Sequence, residues 1–429
     1  MILFPLLSLP HQTATAAPLT EFYPRGGLPN VAAKGAAGQP LRVAFLGGSI
    51  TAAEGWRVHT RENLRKQFPK STVTEIFAAV SGTGSNFGAA RLERDVLSKK
   101  PDLLFVEFAV NDSVGSAKVE AQMEGIVRQT WAASPTTDIC FVYTVSESML
   151  PELQAGRYQS SAVSMERVAA HYGIPSLNFG VEVARRVATG ALVFTSPRKN
   201  DDTAFTKDKV HPGVSGHLLY AERLAGALPG FFAVGTKGAH ALPAPLSLSH
   251  WQRAKLLTLD ALTRSTHWSR VSDTDPHITT QKGGLVPPTW LATQPGAKIA
   301  FRFKGTQLGL VGLKGPENGI FRVTVDGKSI EGTLFDAYSQ PGRFFLKPWF
   351  FPEPLPDTDH DVQIELLDKA PDKSAVSRAV ADKTPFAVNG LYLSGVLVVG
   401  EQLWSGEGYQ LAWCSRKRTW AISTTRARG

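Results

Sequence analysis

Between residues 31 and 232 the chain alternates short apolar runs with stretches whose apolar residues recur every three to four positions. Leu41–Leu46, Val73–Ala78, Leu103–Phe108 and Asp138–Thr144 are largely apolar runs, with a shorter one at Ile174–Asn178. Runs of that length that do not alternate with polar residues predict strands buried on both faces. Between them Thr60–Phe68, Phe87–Ser98, Lys118–Ala133, Ala162–Tyr172 and Ser215–Leu228 carry helical periodicity. Strand–helix alternation predicts an α/β domain with a parallel sheet covered on both sides.

The pattern changes after Pro229. Residues 233–246 are rich in Gly, Ala and Pro and read as a linker, and Trp251–Leu262 reads as a helical or irregular connection. From about Lys298, strands follow one another without helices. They are predicted at Ile299–Phe303, Leu308–Leu313, Phe321–Val325, Arg343–Lys347, Val362–Leu367 and Leu391–Val398. Asp326-Gly327 is the residue pair that a type I′ hairpin turn favours. Such a succession predicts a second, all-β domain, a sandwich or jelly roll. Cys414–Gly429 fits neither period and reads as disordered. The expected organisation is a leader at 1–30, an α/β domain at 31–232, a connecting segment at 233–280, a β domain at 281–404 and a basic tail at 405–429.

Two short segments of the first domain fit one catalytic machine. Gly47-Gly48-Ser49-Ile50-Thr51 follows a buried strand, so Ser49 stands where the strand ends and its hydroxyl emerges at the sheet edge. Asp208 precedes His211 by three residues, a spacing that lets a carboxylate orient an imidazole. A serine hydroxyl becomes a nucleophile only when such a base takes its proton. A tetrahedral oxyanion needs fixed donors as well. The Ser81-Gly82-Thr83-Gly84-Ser85 loop offers backbone N–H groups, and Asn111, delivered by the third strand, offers a neutral amide.

Each segment alone has a plainer reading: a turn serine, a turn glycine, Asn111-Asp112 as a helix cap, His211-Pro212 as a helix entry. Four in order at strand ends outweigh those readings. The ordered set resembles the SGNH (GDSL-like) hydrolase superfamily. Its blocks match Gly47–Thr51, Val80–Ser85, Ala109–Asp112 and Asp208–Pro212, departing at Gly48, where Asp is usual, and at Ala109, where Gly is usual. The resemblance, over roughly residues 40–230, implies a flavodoxin-like three-layer α/β/α sandwich. It assigns Ser49, Asp208 and His211 to catalysis and Ser49, Gly82 and Asn111 to the oxyanion hole. It also implies that an accessory β domain on a secreted member binds carbohydrate, with Tyr338 or Trp349 as stacking candidates, although ring residues in a sandwich more often serve its core. Trp56 and Arg57 are candidates for the pocket wall or for packing. His59, His171 and His217 read as packed or solvated.

The net charge of +9 invites a nucleic-acid reading. Arg416, Lys417, Arg418, Arg426 and Arg428 supply five of those charges, and without them the balance is +4, which supports no nucleic-acid surface but leaves room for anionic polysaccharide. Two cysteines make no disulfide framework: Cys140 reads as a buried hydrophobe, and Cys414 falls in the tail. No zinc-type Cys/His spacing or phosphate loop occurs, so neither metal nor organic cofactor is expected. Met1–Leu9 is almost wholly apolar and Ala14-Thr15-Ala16-Ala17 resembles a signal-peptidase site, but no Lys or Arg precedes Arg25. A start placed too far downstream accounts for the missing positive region, and a secreted or periplasmic location is expected. No later run reaches the length of a membrane span.

The expected function is a serine esterase working through an acyl-enzyme on a small or polysaccharide ester, with acetyl removal from carbohydrate favoured. A lipase or lysophospholipase and an O-acyltransferase use the same triad. A non-catalytic glycan-binding protein is the competing class, and the complete residue set argues against it. Acyl length, glycan identity and oligomeric state are not written in the sequence.

Overall fold

The structure is a computed structural model that describes residues 19–112, 114–198, 201–281, 284–403, 409–414 and 419–424. Residues 1–18 of the expected leader lie outside those residues.

The first domain runs β1 (Phe22–Tyr23), α1 (Pro29–Ala36), β2 (Leu41–Gly47), α2 (Ser49–Ala52), α3 (Trp56–Gln67), β3 (Val73–Ala79), α4 (Ser85–Asp95) and β4 (Leu103–Glu107). It continues with α5 (Ala117–Ala133), β5 (Asp138–Tyr143), α6 (Leu150–Gln154), α7 (Ser160–Tyr172), β6 (Ser176–Asn178), α8 (Phe179–Ala188) and α9 (Val214–Phe232). The sheet order is β1-β6-β5-β4-β2-β3, with β2 to β6 parallel and β1 antiparallel at the edge. The five parallel strands thus follow the doubly wound order in which the winding reverses between β2 and β4.

The apolar runs explain the layers. Ala44 and Leu46 of β2 join Leu104, Val106, Ile139 and Phe141 in one core with α4, α5 and α7. Val43 and Phe45 face the other way, with Phe105, Cys140 and Val142, into a core closed by α3, α8 and α9. Phe45 stacks on Phe105 at 5.2 Å, and Trp56 meets both rings edge-on. The domain begins earlier than expected, because β1 pairs Phe22 with Leu177 and α1 packs beneath Leu41 and Phe68. Phe22 and Tyr23 therefore add an antiparallel edge strand to the sheet ahead of residue 31.

The second domain is entirely antiparallel. It contains β7 (Ala254–Leu257), β8 (Thr263–Arg264), β9 (Trp268–Arg270), β10 (Trp290–Ala292), β11 (Lys298–Lys314), β12 (Ile320–Val325), β13 (Lys328–Thr333), β14 (Phe345–Phe350), β15 (Thr358–Leu366) and β16 (Leu391–Leu403). The strands expected at Ile299–Phe303 and Leu308–Leu313 are one strand, β11, whose register shifts between Gly305 and Gln307. That irregularity lets its first half pair with β15 and its second half with β14. Asp326 and Gly327, both at positive φ (49° and 88°), close the β12–β13 hairpin as their sequence requires.

Two expectations are corrected here. Within Trp251–Leu262, the segment Ala254–Leu257 is a strand, β7, because it finds a partner in Val396–Val399 of β16. The tail also pairs. β17 (Tyr409–Cys414) and β18 (Thr419–Thr424) form a hairpin that sets Leu411 opposite Ile422 and Trp413 opposite Trp420. The rest of the expected disordered tail, the basic residues from Arg416 to Arg418 and from Arg426 to Arg428 included, lies outside the described residues.

The domains share a core. β16 alternates Val396 and Val398 into the β-domain cluster with Leu397 and Val399 into the cluster of α4 and α5. The 233–246 segment is irregular, as a linker should be, but it is tied down. The His240 ring stacks on Trp131 at 4.8 Å and bonds Asp138, and Arg128 donates to the Pro243 carbonyl. Among the described residues no helix is long and apolar enough to cross a membrane.

Candidate active site

The carboxyl ends of β2, β3 and β4 carry the site, at the crevice where strand order reverses. β2 ends at Gly47 and the chain turns straight into α2, so Ser49 stands at the mouth of the crevice. His211 comes from the loop before α9. Its Nε2 lies 2.8 Å from Ser49 Oγ and its Nδ1 2.6 Å from Asp208 Oδ2. The Nδ1–H donates to the carboxylate, which leaves Nε2 free to accept the serine proton. The three sequence-selected residues are therefore in one hydrogen-bonded line.

The Asp208–His211 loop is shaped for this. Asp208 Oδ1 accepts the backbone N–H groups of Val210 (3.0 Å) and His211 (2.7 Å) while Oδ2 takes the ring. Lys209 adopts the left-handed conformation (φ 72°) that turns both amides toward one oxygen. Glu147 braces it by donating its N–H to the Lys209 carbonyl and by pairing with the ammonium at 3.0 Å. Partial burial pushes the Asp208 pKa up, but the hydrogen bonds from His211 and Val210 outweigh it and hold the carboxyl below its ordinary value. Asp208 is thus ionised at neutral pH, as an imidazolium partner requires.

Asn111 lies against the turn that carries Ser49. A Cβ on Gly48 would collide with the Asn111 amide, so residue 48 is glycine for space, its φ of −93° being open to any residue. This explains the departure from Asp: the amide occupies the volume a side chain would need. Gly82 is glycine for conformation, at φ 72°, with open space where its Cβ would be. Its loop is fastened to β2 by the bond from Val80 N–H to the Gly47 carbonyl.

Asp112, read from the sequence only as a possible helix cap, ties the Asn111 segment to the Gly82 loop. Asp112, next to Asn111, accepts the Ser85 N–H at 3.1 Å and so grips the start of α4. Burial pushes its pKa up to about 6 against the pull of the Ser85 bonds, and the Glu107 charge adds to the rise. A carboxyl raised in the fold favours the folded state below its unfolded pKa near 4, and that contribution is lost as pH rises through about 6. The Tm advantage of the wild type over Asp112→Asn should therefore shrink between pH 4 and pH 6.5. A Tm difference independent of pH would show that Asp112 titrates as an ordinary carboxyl.

The other candidates are structural, in line with the plainer readings. Trp56 and Arg57 are buried, and Arg57 Nε donates to the Thr51 carbonyl while its guanidinium pairs with Glu75. His217 accepts the Trp56 N–H, and burial together with the charges of His59 and His211 lowers its pKa to about 4. The His171 ring contacts the Ala244 carbonyl. Cys140 is buried and free, whereas the Cys414 side chain lies outside the described residues.

Residues 45–219 match the GDSL-like Lipase/Acylhydrolase family. The amino-terminal domain is GDSL-like in sequence. The match spans all four segments selected from the sequence and supports a carboxylic ester hydrolase. Among solved structures, a two-domain esterase (CEX) active on acetylated mannans matches with a TM-score of 0.69 at 22% identity. Co-crystallized with mannopentaose, it covers 89% of this chain and 97% of that one. A second structure of the same esterase covers 88% and 97% at the same score and identity. This likeness embraces both domains and establishes their common architecture. Among curated proteins no sequence matches the chain.

Proposed function

We propose that the GDSL-like domain removes acetyl groups from a carbohydrate, with Ser49 as nucleophile, His211 as general base and acid, and Asp208 as the residue that orients it. Ser49 Oγ attacks the ester carbonyl as His211 Nε2 takes its proton. The Ser49 and Gly82 N–H groups and the Asn111 amide receive the oxyanion. The protonated imidazole gives its proton to the departing sugar alkoxide. Water, losing its proton to His211, then releases acetate and restores Ser49.

The observation that carries this is the Ser49–His211–Asp208 line at the reversal of strand order, with its side chains open to solvent. The side chains of His211 and Asp208 are 49% and 54% exposed. An open site suits a small acyl group on a bulky, hydrated alcohol better than a long acyl chain that must be shielded from water. The acetylated mannans on which CEX acts set the substrate class to try first.

The β domain supports glycan contact through Tyr338 rather than Trp349. Trp349 meets Phe321 edge-on in the β-domain core, whereas Tyr338 is 75% exposed beneath the Lys314 ammonium, which also lies over Phe345. Phe345 lines a cavity of about 140 Å³ that reaches Ser81 of the oxyanion loop. The apolar leader-like segment supports export as the location.

A panel of 4-nitrophenyl esters from acetate to palmitate, run beside acetylated mannan and xylan, tests the proposal. Acetate should be the best small ester, acetylated polysaccharide should release acetate, and Tyr338→Ala should lower the mannan-to-acetate activity ratio. Preference for palmitate would overturn it. Asn111→Ala should reduce kcat on the order of 100- to 1,000-fold with a smaller change in KM, because its donor matters most as charge develops on oxygen. A rise in KM alone would make Asn111 a binding residue.

A further inference from the structure

β4 ends in a carboxylate that the catalytic scheme does not use. Glu107 is fully buried beside the nucleophile turn. Its Oε2 accepts the Thr51 hydroxyl at 2.7 Å and its Oε1 the Thr144 hydroxyl at 2.6 Å. The Gly48 and Thr51 backbone N–H groups also bond to it. A buried carboxylate is costly unless its lone pairs are satisfied, and four donors satisfy this one. Burial pushes its pKa up, and the Thr144, Thr51 and backbone bonds pull against that rise. Three of the four donors come from residues 48 and 51, which bracket Ser49. The fourth, Thr144, fastens the carboxylate to the end of β5, so Glu107 ties the turn after β2 to the strand on the far side of β4.

We propose that Glu107 is the positioning residue of the nucleophile turn, fixing Gly48 and Thr51 and thereby the directions of the Ser49 hydroxyl and N–H. The Gly48–Ser49 peptide plane aims the oxyanion donor, and the Gly48 amide is one of the groups that Glu107 holds. Thr51 is held twice, by Glu107 at its hydroxyl and by Arg57 at its carbonyl. Neither Glu107 nor Thr51 needs to touch substrate. Their effect lies in the geometry of attack, where a displacement of about 1 Å costs on the order of 100-fold in rate. The inference rests on Ser49 being the nucleophile.

Glu107→Gln, Thr51→Val, their double variant and Ser49→Ala are compared on 4-nitrophenyl acetate, with Tm measured for each. Thr51→Val should lower kcat about tenfold with KM within about twofold, since the ester's binding groups are intact. Glu107→Gln keeps one acceptor oxygen and should lose kcat to a similar degree. The double variant should be little worse than the poorer single one, because both changes break the same clamp. If Glu107→Gln fails to fold at the assay temperature, Thr51→Val and Thr144→Val carry the test, with the same split between kcat and KM expected. Folded variants with kcat within twofold of wild type, or with the loss confined to KM, would overturn the role while Ser49→Ala remains inactive. Activity retained by Ser49→Ala would instead overturn the nucleophile assignment.

Discussion

Ser49→Ala should lower kcat on 4-nitrophenyl acetate on the order of 10⁴- to 10⁶-fold while leaving the Tm close to that of the wild type. The loss is large because, among the described residues, no other hydroxyl bonds the His211 ring. The Tm holds because a hydroxyl at the open end of the sheet contributes little packing. His211→Ala should be nearly as damaging, and Ser49→Ala/His211→Ala little worse than either single variant. The 2.8 Å contact between Oγ and Nε2 makes the pair one chemical unit, and such units lose their effect at the first deletion. Asp208→Asn should cost less than either, since Asn still accepts the Val210 and His211 amides but no longer offers the ring a charge. Losses that multiply across the Ser49/His211 cycle would mean that the two residues act separately.

The proposed site was legible because each of its parts is a local pattern. Ser49 follows an apolar run, Asp208 and His211 are three residues apart, and Asn111 follows another apolar run. What sequence could not show is what those residues rest on. Glu107 had a signal, a charged residue inside the apolar run Leu103–Phe108, but its meaning needs Thr51, Thr144 and Gly48 in place around it. Gly48 looked like a departure from a family pattern, and only the Asn111 amide lying over it gives a reason. The two longest helices of the first domain that escaped did so for different causes. α1 (Pro29–Ala36) is built of small residues and glycine and reads as loop. α8 starts at Phe179, directly after β6, because the Asn178 side chain caps it by accepting the Gly180 N–H, leaving no turn residues to mark the boundary. β16 carried the most overlooked signal. Leu391–Val399 is apolar on both faces, and a strand at the outside of a sandwich would alternate with polar residues. Its second face had to be covered by something outside the β domain.

That second face decides the behaviour of a fragment ending at residue 235. From the sequence, a cut in the 233–246 segment looks harmless, since every proposed catalytic residue lies between Ser49 and His211. In the fold, the side chains that close the core over α4 and α5 include Trp251, Ala254, Leu285, Leu346, Leu397 and Val399, all beyond the cut. Each large apolar side chain of α4 and α5 uncovered by their loss costs up to about 1.5–3 kcal/mol, and a few such losses approach the ~5–15 kcal/mol that holds a domain folded. The polar groups at the seam fare no better. Glu124 is fully buried on α5 and accepts the backbone N–H groups of Leu246 and Ser247 besides the Tyr172 hydroxyl, so the cut removes two of its three donors. Asp138 loses His240, Arg94 loses the Leu285 carbonyl and Gln129 the Trp251 carbonyl. Residues 19–235 expressed alone should therefore be poorly soluble, unfold without a cooperative transition and bind a hydrophobic dye, with little turnover of 4-nitrophenyl acetate. Extending the fragment through Arg253 restores Glu124's partners and the Trp251 cover, and should recover part of the soluble yield but not the full-length Tm, because β7, β11 and β16 are still missing. A fragment ending at 235 that unfolds cooperatively near the full-length Tm and turns over the ester normally would show that the shared core adds nothing to the catalytic domain's stability.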